Sequence, residues 1–224
     1  MAWPLLSCLA PMMSPLGKRL DPSRPTRARA MVLWSILGAF WLAALGAGMA
    51  AMLRYEFAPG GDEGAPKLWP AASALPRAAG KPTLVVFAHP RCPCTEATVH
   101  ELTEAVARTR SGAAVLVSFF APPDAGDEWV QTPTWRSAAA IPGAVVLKDE
   151  AGREAARFHA STSGRTLLYN ENGELLFDGG ITGARGHVGE NAGQDSLISL
   201  LSHHAANATT TPVFGCRINS LCQK

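Results

Sequence analysis

No charged residue occurs between Ala30 and Leu53, and this run constrains the chain more than any other feature of its 224 residues. Trp34, Phe40, Trp41, Leu42 and Leu45 are spread through an Ala/Gly/Leu-rich background that includes Gly38, Gly46 and Gly48. A helix needs about 20 apolar residues to cross the hydrocarbon layer, and small residues and interfacial tryptophan suit such a helix. The alternative is a cleaved secretory signal, with Ala47-Gly-Met-Ala50 as a small-residue cleavage site before Ala51. The apolar core of a signal is only about 7–15 residues, so length favours an uncleaved anchor over residues 31–53. Lys18, Arg19, Arg24, Arg27 and Arg29 crowd its N-terminal side, with Asp21 the only acid among them. The positive-inside rule keeps such a flank in the cytoplasm. The expected placement is therefore a single-pass protein of the inner (cytoplasmic) membrane, N-terminus inside and main domain in the periplasm or outside.

The remaining composition narrows the function classes. Hydrophobic residues make up 47% and charged residues 17%, which excludes a disordered acidic chain and a polybasic one. A net charge of +2 gives no reason to expect a nucleic-acid partner. The expected partners are the membrane and a protein thiol or disulfide. Of the five cysteines, Cys8 falls on the inner side of the anchor and stays reduced there. Cys92, Cys94, Cys216 and Cys222 face an oxidising space, and they are too sparse for a disulfide-scaffold miniprotein.

Around the anchor, residues 1–30 read as a disordered basic cytoplasmic tail. Residues 54–81, rich in Pro and Gly, read as a linker lifting the next domain off the bilayer. The domain itself spans 82–204, and residues 205–224 form a C-terminal tail carrying Cys216 and Cys222. Thr83–Ala88 is short, apolar and β-branched, as suits a strand buried on both faces. An amphipathic helix follows Cys94, with Val99, Leu102 and Val106 on one face. Ala113–Phe120 reads as a second strand, Trp135–Ala140 as a short helix, Ala144–Leu147 as a third strand and Gly152–His159 as helical. Thr166–Tyr169 and Glu174–Phe177 flank the turn Asn170-Glu-Asn-Gly173 and spell a hairpin. Ser196–His204 closes the domain as a helix. This order predicts an α/β fold whose mixed sheet is flanked by helices, preceded by one N-terminal transmembrane helix.

The strongest chemical signal is His89-Pro-Arg-Cys-Pro-Cys94, where a buried strand gives way to a helix. Helix N-termini expose unpaired N–H groups and a positive dipole end, which favour thiolate over thiol. Pro93 fits the first helical position, where its missing N–H costs nothing, and Arg91 adds a nearby positive charge. The candidate catalytic residues are thus Cys92, Cys94, Arg91 and Cys216. In Gly179–Gly189, Arg185 would stabilise a thiolate or anionic substrate, and His187 would move protons or bind metal, set against a plain surface loop.

In its order of strand, cysteine pair, helix, strand, helix, hairpin and helix, the chain resembles the thioredoxin fold over about residues 82–201. Phe87 precedes Cys92 by the spacing seen in many thioredoxins. The elements at 135–147 and Lys148–Gly152 resemble the insertion of TlpA-like and peroxiredoxin-like branches. In its HPRCPC and TPVFGC segments it is similar to membrane-anchored thioredoxin-like proteins labelled RedB-like. Three departures stand against the family pattern. One residue rather than two separates Cys92 from Cys94. Gly164 or Arg165, both candidate substrate-binding residues, falls where the family has a cis-proline. The peroxidatic Pro-x-x-x-Thr-x-x-Cys pattern is missing, which argues against peroxidase activity.

Three chemistries fit the pair. In the first, Cys92 attacks a substrate disulfide and Cys94 resolves the mixed disulfide without any cofactor. A bridge across one residue is strained and easily reduced, so an oxidising potential is expected. In the second, copper sits on Cys92 and Cys94 with His187 or Cys216 completing the shell, as paired cysteines and a histidine do in Sco-type copper-assembly proteins. In the third, the pair is a structural disulfide or inert. The tail Thr211-Pro-Val-Phe-Gly-Cys216 reads as docked, because Val213 and Phe214 are unusual in a bare disordered end. Docking beside Cys92 would make Cys216 a second resolving thiol or a third ligand; pairing with Cys222 is the alternative.

Overall fold

The computed structural model describes residues 27–61, 63–109 and 111–219. Cys8 and Cys222 lie outside the described residues. Two compact units divide between Ala50 and Ala51.

The first described element is one continuous helix, α1 (Arg27–Glu56), apolar on all sides and with no residue buried by protein. Val32, Leu37, Phe40 and Trp41 are all exposed, and a helix hydrophobic all round calls for an apolar surrounding. It is long and apolar enough to cross a membrane, a property that signal sequences near an N-terminus share.

The second unit is built on a five-stranded sheet. Its elements run β1 (Thr83–Ala88), α2 (Pro93–Thr109), β2 (Ala114–Ala121), α3 (Asp127–Val130), α4 (Pro133–Ala139), β3 (Ala144–Glu150), α5 (Arg153–Arg157), β4 (Arg165–Tyr169), β5 (Leu175–Gly179) and α6 (Ala192–Leu201). The strand order is β3-β2-β1-β4-β5. β1, β2 and β3 are parallel, while β4 and β5 are antiparallel to their neighbours. All six residues of β1 are buried, as its unbroken apolar run predicts for a central strand covered on both faces.

Side chains alternate across β1 and divide the core in two. Leu84, Val86 and Ala88 pack with Val99, Leu102 and Ala105 of α2 and Leu197 and Leu201 of α6. Val85 and Phe87 pack on the opposite face with Leu116, Phe158, Leu167 and Tyr169. Helix ends follow local chemistry. Thr132 caps α4 by accepting from the Trp135 N–H (3.3 Å), one residue before Pro133. Asn191 caps α6 by accepting from Gln194 N–H (3.0 Å), which starts that helix four residues earlier than its apolar pattern suggests. In the β4–β5 turn the Asn170 side-chain oxygen accepts from the N–H groups of Asn172 and Glu174, and Gly173 takes φ +84°.

The stretch expected to be a spacer is instead laid along the domain. Leu68 bridges Glu174 beside the hairpin, with Trp69 N–H donating to Gly173 O (2.8 Å) and Leu175 N–H to Lys67 O (2.9 Å). The Trp69 ring meets Phe158 edge-on at 5.0 Å and Tyr169 at 5.3 Å, and Ala65 and Leu75 are buried. Composition suggested a linker; the edge of the β4–β5 hairpin supplies hydrogen-bond partners that take up Lys67–Trp69.

A buried ion pair fastens this end of the sheet. Arg165, 1% exposed, donates from Nε (2.8 Å) and Nη2 (2.7 Å) to the Asp178 carboxylate, and from Nη1 to His159 O. Removing one partner of such a pair strands a buried charge, which costs about 3–5 kcal/mol. Arg165→Met in the detergent-solubilised full chain should lower the unfolding free energy by that order, read from the denaturant midpoint at constant slope. A loss within experimental scatter would show that the pair does not carry this load.

Candidate functional site

Pro90 ends β1, and the chain turns tightly into α2. Cys92 N–H donates back to His89 O (3.2 Å), and Thr95 N–H donates to Cys92 O (3.0 Å), so Cys92 is the last residue before the helix. His89 is fully buried, stacked on Phe120 at 5.7 Å and edge-on to Trp129 at 5.6 Å. Its Nδ1 accepts from the Arg91 N–H (3.2 Å). Thr95 Oγ1 donates to His89 O (2.9 Å), which spends its only proton. Ser163 Oγ, 2.9 Å away, must therefore donate to Thr95 Oγ1, while it accepts from His89 N–H at 2.9 Å. This network of His89, Thr95 and Ser163 locks the start of α2 to the loop before β4. Sequence reading missed Thr95 and Ser163, since isolated hydroxyl residues carry no pattern.

Three sulfurs meet at this junction. Cys92 is 2% exposed, and its Sγ lies 2.9 Å from Cys216 Sγ. The thiol is pushed down to about 4, chiefly because the Cys94 thiol donates a hydrogen bond to the thiolate; burial opposes this, and Cys216 adds to it. Cys94 is pushed up, because its proton is held against Cys92 and because burial and the charge on Cys92 disfavour a further charge. The site thus favours one thiolate and one retained proton, with the negative charge on Cys92.

The other expected residues divide. Arg91 is exposed, with its guanidinium over the Trp129 ring at 4.8 Å. The influences that lower Cys92 come from the neighbouring Cys94 and Cys216, not from Arg91. Gly164 takes φ +93° and donates its N–H to Phe87 O (2.8 Å); a Cβ there would sit 2.9 Å from Thr98 Oγ1. The loop therefore lies tight against α2, with no cis peptide among the described residues. Arg165 is not a substrate-binding residue here: its alternation along β4 sends it inward, where Asp178 consumes it. Arg185 eases Cys94 toward ionisation through space. Its guanidinium donates to the carbonyls of Tyr55 (3.1 Å), Ala58 (3.2 Å) and Gly215 and covers the Tyr55 ring at 5.0 Å. His187 is exposed and turned to Arg185 O, its Nδ1 at 3.2 Å. The trio of Cys92, Cys94 and His187 is not assembled, and among the described residues no cluster of three or more His, Cys, Asp or Glu has metal-holding geometry.

The tail is docked. Gly60 N–H donates to Val213 O, Ser163 N–H to Cys216 O (2.8 Å) and Ile218 N–H to Ser161 O (2.9 Å), with an antiparallel bridge between Thr162 and Arg217. Val213 and Ile218 are buried. On another side of Cys92, an open cavity of about 520 Å³ is lined by Arg91, Cys92, Pro93, Glu96, Thr132 and Thr134, among others.

No family model matches the chain, and no curated protein does. Among solved structures, a hypothetical protein from Sinorhizobium meliloti 1021 is 21% identical with TM-score 0.52, covering 64% of this chain and 82% of its own. An uncharacterized conserved protein from Geobacillus kaustophilus is 17% identical with TM-score 0.49, covering 65% and 80%. A secreted Mycobacterium tuberculosis disulfide oxidoreductase homologous to E. coli DsbE is 22% identical with TM-score 0.33, covering 43% and 67%. Three parallel strands, an antiparallel pair beside β1 and a cysteine at the β1–α2 junction complete the description. The fold is thioredoxin-like.

In this setting, alkylation of Cys92 should be half-maximal near pH 4 and level above it, because the attacking form is the thiolate. Cys94→Ala should raise that midpoint more than Cys216→Ala, since the Cys94 hydrogen bond is the larger influence. Rate profiles from quenched iodoacetamide labelling check both; a wild-type midpoint in the ordinary thiol range of about 8.5 would contradict the arrangement.

Proposed function

We propose that this chain is a membrane-tethered, extracytoplasmic thiol–disulfide oxidoreductase, akin to TlpA-like and RedB-like proteins, acting on protein thiols or disulfides. The observation that carries the reading is the Cys92 sulfur at the head of α2, hydrogen-bonded by the Cys94 thiol and 2.9 Å from the Cys216 sulfur. A thiolate favoured at neutral pH is the nucleophile of thiol–disulfide exchange. Cys92 attacks one sulfur of a substrate disulfide and forms a mixed disulfide, and the departing thiolate takes up a proton. A second protein thiol then displaces the substrate from Cys92. Tethering and orientation rest on the length and apolarity of α1 and the cationic residues before it.

Stabilising the thiolate stabilises the reduced form, so the potential should lie above the roughly −270 mV of thioredoxin. The test is turnover of a model dithiol–disulfide pair by the full chain, measured together with its metal content as purified. Turnover without bound copper, falling to the protein-free rate in Cys92→Ser, is expected. Copper at one equivalent with no turnover would replace this reading with the metallochaperone one. Protease added outside intact spheroplasts should digest the domain after Arg54 and spare the segment before Met31; the reverse pattern would overturn the orientation.

A further inference from the structure

We propose that Cys216, carried on the docked C-terminal segment, is the resolving cysteine, so that the disulfide formed in turnover joins Cys92 to Cys216 across the domain. This rests on the redox reading above and changes its second half, where sequence pattern pointed to Cys94.

Placement comes first. The two sulfurs lie 2.9 Å apart, and a disulfide forms at about 2.05 Å, so closure needs only a small inward shift. Cys216 is held there by backbone, not by chance contact. Its carbonyl accepts from Ser163 N–H, Arg217 bridges Thr162, and Ile218 N–H donates to Ser161 O. On the other side, the Gly215 carbonyl accepts from Arg185. A side chain at Gly215 would collide with the Ser163 carbonyl oxygen, so only glycine lets the segment lie this close. Buried Val213 and Ile218 anchor the segment at either end. A thiol fixed in this way acts as an intramolecular reactant, with the advantage in effective concentration that tethering gives.

Geometry disfavours the alternative bond. Cys94 is the second residue of α2, and a Cys92–Cys94 bridge would close over Pro93, whose ring fixes φ. Cys94 O already accepts from Thr98 Oγ1 in the next turn (3.3 Å), so bridging would disturb a formed helix start.

Approach is the third point. Attack at sulfur is in line, so the attacking and departing sulfurs lie on opposite sides of the central one. Cys216 occupies one side of Cys92. The cavity beside Arg91, Pro93 and Thr132 opens onto Cys92 with neither Cys94 nor Cys216 in its lining. A substrate sulfur lodged there can leave while Cys216 attacks.

The steps balance. The Cys92 thiolate attacks a substrate disulfide R–S–S–R′; a Cys92–SR bond forms, the S–S bond breaks, and R′S⁻ departs with the electron pair. R′S⁻ takes the proton that Cys216 gives up, directly or through water. The Cys216 thiolate attacks Cys92 Sγ; the Cys92–Cys216 bond forms, the Cys92–SR bond breaks, and RS⁻ leaves to be protonated by solvent. The substrate gains two electrons from the Cys92–Cys216 pair, one proton from Cys216 and one from solvent. An external dithiol reverses the sequence by the same two exchanges.

The test is disulfide mapping on the full-length protein in membranes. The protein is reduced, treated with stoichiometric bis(nitrobenzoate) disulfide, quenched in acid, alkylated and cut with trypsin without reductant. The expected product links the tryptic peptide of residues 92–108 to that of residues 186–217, with the link retained in Cys94→Ser and lost in Cys92→Ser. A Cys92–Cys94 loop, or a Cys216–Cys222 link, would overturn the assignment while leaving the redox reading in place. Failure of Cys92 to enter any disulfide would sink both. In parallel, Cys216→Ser should hold the nitrobenzoate adduct on Cys92 and release the second equivalent at least tenfold more slowly than wild type. Release at the wild-type rate would refute the role of Cys216.

Discussion

The Arg165–Asp178 pair links parts of the chain that lie far apart in sequence. Charges taken out of water need both a partner and full hydrogen bonding, and here each is met. Asp178 receives two bonds from Arg165 and one from the Ala65 N–H, while Arg165 also reaches His159 O. The backbone of Asp178 continues outward, donating to Thr209 O and accepting from Thr211 N–H. Thus one buried carboxylate residue contacts the strap before β1, the loop before β4 and the beginning of the C-terminal segment. Cys216 lies five residues beyond that last anchor, and its register follows from it.

This anchoring shapes the chemistry. Local sequence offers Cys92 a helix N-terminus and a neighbouring arginine, the usual sources of thiolate stabilisation. The folded protein relies chiefly on two other thiols. Hydrogen bonds to the charged form outweigh the opposing effect of burial, so a nearly inaccessible sulfur still favours the anion. Arg91 stacks on Trp129 and Arg185 ties down backbone, so both cations serve placement as much as charge.

The loop at Ser163–Gly164 does the work of joining the halves of the site. It meets α2 through Thr95, meets β1 through Phe87 O and His89 N–H, and presents its remaining edge to the tail. A left-handed glycine gives the tight passage there that a cis-proline would give differently, and it keeps its own N–H to donate to Phe87 O.

Much of the architecture was legible in residues close together along the chain. The β1 run, the helix after Cys94, the Asn170–Gly173 hairpin and the apolar span of α1 each rest on periodicity, turn chemistry or length, which are local properties. The candidate nucleophile was legible for the same reason, as a cysteine where a strand ends and proline opens a helix. Pairings across long separations were not. Arg165 reads as a loop cation until β4 turns it inward onto Asp178, and residues 54–81 read as a linker until the hairpin edge takes up Lys67–Trp69. The approach of Cys216 to Cys92 depends on contacts spanning 124 residues. Sequence by itself determined which segments form helix or strand and which sulfur heads α2, because those are set by near neighbours. Tertiary structure alone decided which cysteine faces that sulfur, because only a folded sheet, with its open edge and its buried charge satisfied, brings the two ends of the domain to one point.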